Sequence, residues 1–327
     1  MSEVNTNSTD DRSNKIKANI KDTKDKIKGI VYGCALGDAY GVQVEGWTKE
    51  YISERYPNGV VEFLGPMKSM RGIESGDWSD DTDQLILLYL DIVEGFSTLG
   101  YAKKLYNWMK HGFSELGDVA GMGLGQLTAR VMSKPRFLTN PISCSEEAYV
   151  ELGSNRAPNG SLMRGGIAAM SSDWARISML QTKITHYDVR CIWCTLIIAY
   201  ICRMYVLGKK PSLKFIESTM DYLGSYKAEV KNFMSINTLE ELKLDDEHRG
   251  YVLKTFMCGI YAWRCIVNKI VDFKKIMFSI AMEGGDVDTN CAVAGQVLGA
   301  YLGYSKLPTD WLIQLIHSKW LSDKLNV

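Results

Sequence analysis

The chain has 327 residues, of which 46% are apolar, and its 38 basic and 38 acidic residues cancel. This size and apolar content allow a sizeable core, while the balanced charge gives no electrostatic reason to expect nucleic acid or an anionic membrane surface as a partner. No apolar run approaches the ~20 residues of a membrane span, because Arg203 ends the run 191–202. We therefore expect a globular protein that binds neither nucleic acid nor membranes.

The N-terminal segment and the cysteines indicate a cytoplasmic protein. The opening residues MSEVNTNSTDDRSNK contain no apolar stretch of the kind that a secretory signal requires. Eight cysteines are scattered through the chain, mostly in apolar segments, as is typical of small core residues in a reducing compartment. Cys191 and Cys194 have the CxxC spacing of redox or zinc sites, but they lie in an apolar helical run without a second pair.

Apolar residues at helical spacing dominate the chain from residue 15 onward, after a polar stretch over 1–14 that we predict to be a disordered tail. QLILLYLDIV, residues 84–93, is apolar on all sides and predicts a fully buried helix. Strand-like alternation is scarce, and its best candidate is the short run 60–65. Further helices are predicted over 97–112, 121–133, 144–152, 161–171, 188–206, 212–233, 250–267, 272–282, 289–303 and 309–320. The pattern predicts one all-α domain over residues 15–327.

The motif Ser79-Asp80-Asp81-Thr82-Asp83 stands directly before the predicted buried helix. Serine and aspartate suit the N-cap and the first turn, where the helix dipole stabilises each of them by ~0.3–1 kcal/mol. Capping explains one or two such residues, whereas three carboxylates in four positions repel one another in a region of low dielectric constant. A bound cation would offset this cost, so the motif is equally consistent with capping and with a metal site.

A second acidic motif, GGDVDTN, contains Asp286, Asp288 and Thr289 at the head of a segment rich in small residues. Small residues allow close approach of helices, so the two motifs could meet across a bundle although 205 residues separate Asp81 from Asp286. Carboxylate and hydroxyl oxygens suit Mg²⁺ or Mn²⁺. Two such motifs together favour a site for two ions over simple capping.

Two glycine-containing stretches are less specific. GCALGDAYGVQVEG, residues 33–46, lacks the Lys-Ser/Thr pair of a phosphate loop, and its Glu45 could be a general base, a gate or an ordinary surface residue. NRAPNGSLMRGG, residues 155–166, contains a turn at 159–161 that opens a predicted helix. Backbone amides at such a helix start can bind an anion such as a diphosphate, although a plain turn explains the same pattern.

Taken together, the motifs GCALGDAYG…E, SDDTDQ, NGSLMRGG, THYD, GYVLKTFMCGIYAW and GGDVDTNCAVAGQVLGAYLG resemble, in order and spacing, the ADP-ribosylglycohydrolase family. That family includes dinitrogenase-reductase-activating glycohydrolase and the J1 crystallins, and the resemblance covers about residues 25–320. It implies an all-α orthogonal multi-helix bundle with two Mg²⁺ or Mn²⁺ ions at the bottom of a central cleft. The implied reaction is hydrolysis of the glycosidic bond between ADP-ribose and a protein side chain or small molecule.

The resemblance also implies site residues, motif by motif. The two implied sets of metal ligands are Ser79, Asp80 and Asp81, and Asp286, Asp288 and Thr289. Glu45 matches the acid that positions catalytic water or closes over the ions. The implied loop that holds ADP-ribose, supported by Arg164, comprises Asn159, Gly160, Ser161 and Met163. His186 matches a position near the cleft, where a structural hydrogen bond and a substrate contact are both open.

This family chemistry agrees with the residue types. Two metal ions can orient ribose hydroxyls and lower the pKa of a bound water. The predicted site contains no obvious thiol or Ser-His nucleophile, so direct attack by water is favoured over a covalent route. Our hypothesis is that Glu45, or a metal-bound aspartate at Asp80 or Asp288, accepts the proton from the attacking water.

One departure from the family concerns the acceptor. Several members carry a DIG motif whose acid helps to recognise the leaving group, whereas this chain reads GDVAGMGLGQLTARVM over 117–132, with Asp118 displaced. Recognition of an arginine acceptor is therefore less expected than hydrolysis itself. The alternatives are a hydrolase of O-acetyl-ADP-ribose or a related ribosyl metabolite, and a non-catalytic crystallin-like relative. All six implied ligands are present, which favours an enzyme, and we expect a monomer.

Overall fold

The structure is a computed structural model that describes residues 7–59, 61–65 and 72–325, with side chains from residue 20 onward. The α-helices of this part are α1 (Asn7–Gly41), α2 (Lys49–Arg55), α3 (Asp80–Val93), α4 (Thr98–His111), α5 (Gln126–Met132), α6 (Pro141–Glu151), α7 (Trp174–Lys183), α8 (Val189–Val206), α9 (Leu213–Thr219), α10 (Lys227–Ser235), α11 (Val252–Val267), α12 (Phe273–Ala281), α13 (Val287–Leu302), α14 (Thr309–Gln314) and α15 (Ser318–Leu325). The predicted all-α, single-domain fold is confirmed.

Several local predictions differ from the structure. Residues 61–65 are not a strand, and residue 60 lies outside the described residues. The predicted helix over 161–171 is a turn followed by the short 3-10 helix Gly165–Met170. The predicted tail over 1–14 is undescribed up to residue 6 and belongs to α1 from Asn7 onward, so the tail boundary at residue 14 stays a prediction.

Helices α2 and α7 are absent from the sequence predictions. α2 has only seven residues and buries one side chain, Ile52, so its apolar periodicity is too short to detect. Its start is nevertheless marked by Thr48, whose hydroxyl accepts a hydrogen bond from the Tyr51 N–H at 3.2 Å.

The centre of the fold is a direct backbone contact between α1 and α13. Every fourth residue of α1 from Gly29 to Gly41 is a glycine that faces α13. A Cβ atom on Gly33 would lie 2.2 Å from the carbonyl oxygen of Gly295, and one on Gly37 would lie 2.2 Å from that of Cys291. Only glycine permits this approach, so these positions set the separation of the two helices.

The apolar composition of helix α8 is explained by its packing inside the protein. By length and composition it is the one helix in the described ranges that could cross a membrane, and 72% of its 18 residues are buried inside the protein. It packs against α7, α11 and α13. Arg203, which was expected to end the apolar run, lies within the helix and donates to the Ala169 carbonyl oxygen at 3.0 Å.

The α1–α13 contact predicts that Gly33→Ala destabilises the protein. The added methyl group would overlap backbone atoms, and forced repacking of this kind costs about 1–3 kcal/mol. Urea denaturation of the two proteins measures the difference. Gly125→Ala is the control: a Cβ there meets nothing within 4 Å and the φ of −61° suits any residue, so only the smaller cost of placing alanine at the N-cap of α5 is expected. Equal stability of Gly33→Ala and the control would contradict the proposed limit on helix separation.

Candidate functional site

A buried carboxylate that is absent from the predicted ligands, Asp38, stands at the centre of the site. It lies on α1, is fully buried, and faces the N-terminus of α3. It accepts hydrogen bonds from the Ser79 N–H at 3.1 Å, the Thr82 N–H at 3.0 Å and the Thr82 hydroxyl at 2.7 Å. Burial raises the pKa of Asp38 to about 6, while these hydrogen bonds oppose the rise.

Asp38 forms an acidic group with one aspartate from each predicted motif. Carboxylate oxygens of Asp38, Asp81 and Asp288 lie within 4.8 Å of one another, and all three residues are buried. The hydroxyls of Ser79 and Thr289 both donate to Asp81, at 3.2 and 3.3 Å. The structure therefore brings the two acidic motifs together where α1, α3 and α13 meet, and we call these three carboxylates the acidic floor.

A second acidic group lies at the more open side of the floor. Carboxylate oxygens of Glu45, Asp286 and Asp288 lie within 4.8 Å of one another, and Glu45 and Asp286 are half-buried. Backbone hydrogen bonds join the two loops that carry these acids, from the Gly46 N–H to the Gly285 carbonyl at 2.7 Å and from the Gly285 N–H to the Trp47 carbonyl at 2.9 Å. We call Glu45 and Asp286 the acidic rim.

The φ angle of +83° at Gly285 allows this junction. A Cβ atom there would also lie 2.0 Å from the carbonyl oxygen of Leu244. Glycine is therefore required at this position both by backbone conformation and by space.

The other two aspartates of the first motif accept hydrogen bonds from protein side chains. The carboxylate of Asp80 accepts a hydrogen bond from the Gln84 side chain at 2.8 Å. Asp83 accepts from the indole N–H groups of Trp78 and Trp108, at 2.8 and 2.9 Å. Neither residue belongs to the two acidic groups found among the described residues. The predicted role of Asp80 as ligand and catalytic residue stays a prediction.

A chain of buried hydrogen bonds leads from Asp80 to the predicted substrate residues. Gln84 accepts from the fully buried guanidinium of Arg164, which also donates to the Gln181 side chain at 2.9 Å and to the Thr185 hydroxyl at 2.6 Å. The Thr185 hydroxyl lies 2.8 Å from Nδ1 of His186. Arg164 therefore connects α3 with the segment that carries His186.

His186 is a buried, neutral imidazole beside the predicted binding turn. Burial, with a contribution from the Arg164 charge, lowers the pKa of His186 well below its ordinary value. A Cβ atom on Gly160 would lie 3.3 Å from the His186 ring, so the glycine backbone rests directly against the imidazole. The described contacts of His186 fit a structural role, and substrate contact stays a prediction.

The turn over 159–163 is anchored to the acidic rim. The side-chain amide of Asn159 donates to Asp286 at 2.6 Å and to the Thr255 hydroxyl at 2.8 Å. Within the turn, Ser161 and Met163 are buried, while Gly160 is half-exposed. Asn159 therefore contacts the rim, and Gly160 is the most exposed residue of the turn.

Asp118 closes a loop in the structure. Its half-buried carboxylate accepts a hydrogen bond from the Phe113 N–H at 2.8 Å. This bond gives the carboxylate a structural partner at the end of α4.

The acidic groups fit a hard divalent cation. They offer only oxygen donors, the type that Mg²⁺ and Mn²⁺ prefer. Three buried carboxylates within 4.8 Å of one another repel strongly in a medium of low dielectric constant, and a cation among them offsets this repulsion. The acidic groups could therefore hold metal ions.

The Arg164 network predicts that Arg164→Lys destabilises the protein by about 1–3 kcal/mol, the cost of leaving a buried polar group without its hydrogen bond. A lysine ammonium cannot reproduce the planar fork that reaches Gln84, Gln181 and Thr185. Urea denaturation measures the loss. Arg176→Lys is the control, because Arg176 is exposed and pairs with Asp173 at the surface. An unchanged stability for Arg164→Lys would show that the network contributes nothing.

Comparison with known proteins agrees with this architecture. A family model described as ADP-ribosylglycohydrolase matches residues 19–326. The ADP-ribosylarginine hydrolase Tri1 of Serratia proteamaculans (strain 568) is 25% identical over 313 residues, which cover 91% of this chain and 77% of that protein. The ADP-ribosyl-dinitrogen reductase glycohydrolase of Rhodospirillum rubrum is 22% identical over 318 residues, which cover 89% and 91%.

A solved structure shares the fold. The chain described as an ADP-ribosylglycohydrolase-related protein complex superimposes with a TM-score of 0.60 and 22% sequence identity, covering 93% of this chain and 97% of that one. The names of the family and of these relatives indicate ADP-ribosyl glycohydrolase activity. Because the family model covers nearly the whole chain, the protein belongs to the ADP-ribosylglycohydrolase family.

Proposed function

We propose that the protein is a metal-dependent hydrolase that cleaves the N- or O-glycosidic bond between ADP-ribose and its acceptor. The observation that carries the proposal is the acidic floor, in which buried carboxylates from α1, α3 and α13 converge within 4.8 Å. Such a convergence of charge is costly for the fold alone, and it is the arrangement that a cation-dependent reaction requires.

The proposed ligands of two Mg²⁺ or Mn²⁺ ions are those predicted from the sequence, with Asp38 added because it completes the floor. Bound divalent cations would orient the ribose hydroxyls and lower the pKa of water. The chain's own hydroxyls on Ser79 and Thr289 hold the Asp81 carboxylate in place from two sides.

Glu45 is our proposed general base. It is half-buried, and its carboxylate lies within 4.8 Å of the carboxylates of Asp286 and Asp288. A carboxylate at the open side of the floor can take the proton from a water that attacks the anomeric carbon of the ribose. The hydrogen bonds between Gly46, Trp47 and Gly285 hold its loop against the rim.

The turn over 159–163 is the proposed site for ADP-ribose. Asn159 connects this turn to Asp286, so a ligand held by the turn would lie next to the acidic rim. The half-exposed Gly160 allows a ligand to approach the backbone closely, since it has no side chain.

Arginine-linked ADP-ribose is the first acceptor to test, because two relatives are named for it. An ester of ADP-ribose with a small molecule is the second. The loop 117–125 favours the ester, because its only acid, Asp118, already accepts a hydrogen bond from the Phe113 N–H. The loop has no second carboxylate that could bind an arginine side chain.

The proposal predicts release of free ADP-ribose that depends on added Mg²⁺ or Mn²⁺ and stops with a chelator. Asp81→Asn and Asp288→Asn should each lower the rate by about 100-fold, because each removes a carboxylate of the floor. The assay measures ADP-ribose released from arginine-linked and serine-linked peptides and from O-acetyl-ADP-ribose. Asp323→Asn, at an exposed aspartate paired with Lys319, is the control and should keep full activity.

Three results would count against parts of this proposal. Release that persists in chelator would rule out metal dependence. Release only from the ester would assign a small-molecule substrate. No release from any substrate and no heat of Mg²⁺ or Mn²⁺ binding in calorimetry would overturn the enzyme proposal.

A further inference from the structure

A buried ion pair at the start of α8 is not used by the proposed mechanism. The side chains of Asp188 and Arg190 are 0% and 5% exposed. Two parallel hydrogen bonds join them, from Nε to one carboxylate oxygen at 2.9 Å and from a terminal nitrogen to the other at 2.7 Å. Asp188 also caps α8 by accepting the backbone N–H of Arg190 at 2.8 Å. The guanidinium is thus held in one orientation.

The remaining donors of Arg190 reach three other segments. They donate to the Asn155 side chain at 2.9 Å, to the Tyr251 hydroxyl at 3.1 Å and to Glu229 at 3.4 Å. The guanidinium also lies 4.0 Å from the centre of the Tyr226 ring. One side chain therefore joins α8 and α10 to the segments that precede the binding turn and α11.

The segments that contain Asn155 and Tyr251 pair with each other next to the site. The Asn159 N–H donates to the Gly250 carbonyl at 3.0 Å, and the Val252 N–H donates to the Ala157 carbonyl at 2.9 Å. This short antiparallel pairing sets the position from which Asn159 reaches Asp286. Movement of either segment would shift that contact.

The turn is fixed at its other end by the second buried arginine. Arg164 follows the turn directly and donates to Gln84, Gln181 and Thr185. Before the turn, Ser154 has a φ of +54°, which is uncommon for a residue other than glycine. A backbone in this conformation persists where the surrounding contacts hold it, and Arg190 supplies such contacts one residue later, at Asn155.

We propose that Arg190 is a positioning residue for ADP-ribose binding. Its guanidinium donates hydrogen bonds to both Asn155 and Tyr251. These bonds stabilise the pairing of 157–159 with 250–252, and the pairing holds Asn159 against Asp286. The inference rests on the proposed function, in which Asn159 and Asp286 lie at the ligand. Arg190 itself touches neither the acidic floor nor the rim in the contacts of the described residues, so its effect is on binding geometry.

Arg190→Lys tests the inference, because lysine keeps the charge but cannot contact Asp188, Asn155 and Tyr251 together. We expect the Kd of ADP-ribose in calorimetry and the KM for the substrate to rise about 10-fold, as for other supporting contacts of a site. The kcat should change by less than about 2-fold, because binding common to ground state and transition state is lost.

Arg264→Lys is the matched control for stability. Arg264 is a half-buried arginine on α11, 13 residues after Tyr251 in the chain. It donates to the carbonyl oxygens of Ile236 and Met234. Its replacement removes comparable hydrogen bonds without touching the turn, so the Kd and KM should stay at their wild-type values. If Arg190→Lys also leaves the Kd and KM unchanged, the positioning role is overturned.

Tyr251→Phe covers the case in which Arg190→Lys does not fold. It removes only the hydroxyl that accepts from Arg190 and donates to Glu229 at 2.6 Å. We expect the Kd of ADP-ribose to rise about 3-fold, because the hydrogen bond from Arg190 to Tyr251 is lost while the one to Asn155 remains. An unchanged Kd would again overturn the inference.

Measurements on the wild-type protein distinguish a failure of the proposed function from a failure of the positioning role alone. If it neither binds ADP-ribose nor releases it from any substrate, the proposed function fails and the positioning role fails with it. If it binds ADP-ribose and both variants bind equally well, only the positioning role fails.

Discussion

The site depends on the close backbone contact between α1 and α13. Because glycines of α1 meet the backbone of α13, the two helices approach more closely than any side chain would allow. This approach brings Asp38, inside α1, next to Asp288 in the first turn of α13, with α3 beginning beside both. The acids provide the charge of the floor, but the glycines determine that the charges meet.

The three aspartates at the start of α3 have different environments. Asp81 joins the floor and accepts from two hydroxyls. Asp83 accepts from two tryptophan N–H groups, and Asp80 accepts from Gln84, which in turn accepts from Arg164. Protein donors therefore compensate part of the negative charge that the sequence places in this motif. The case for a cation rests on carboxylates that converge from different helices rather than on the local density of acids.

The sequence predicted those features that depend on neighbouring residues in the chain, and it missed those that depend on distant residues. Helix α3 could be predicted because apolar residues cover all its faces, and the meeting of Asp81 with Asp288 because both motifs precede segments suited to burial. Asp38 could not be assigned, since it lies among buried apolar neighbours on α1 and its partners Ser79 and Thr82 are 41 and 44 residues away. A lone aspartate in an otherwise apolar stretch was the available signal.

The division between floor and rim explains why one site can be both buried and accessible. The floor is carried by three helices, two of which, α1 and α13, meet in direct backbone contact, so its carboxylates project from rigid elements. The rim is formed by loops, which hydrogen bonds at Gly285 and at Asn159 hold to one another. On the proposed function, the rigid floor would hold the ions while the half-buried rim meets the ribose. A loop that binds a ligand must be held in place by contacts that the ligand does not displace. The buried side chains of Arg164 and Arg190 donate such hydrogen bonds on either side of the turn.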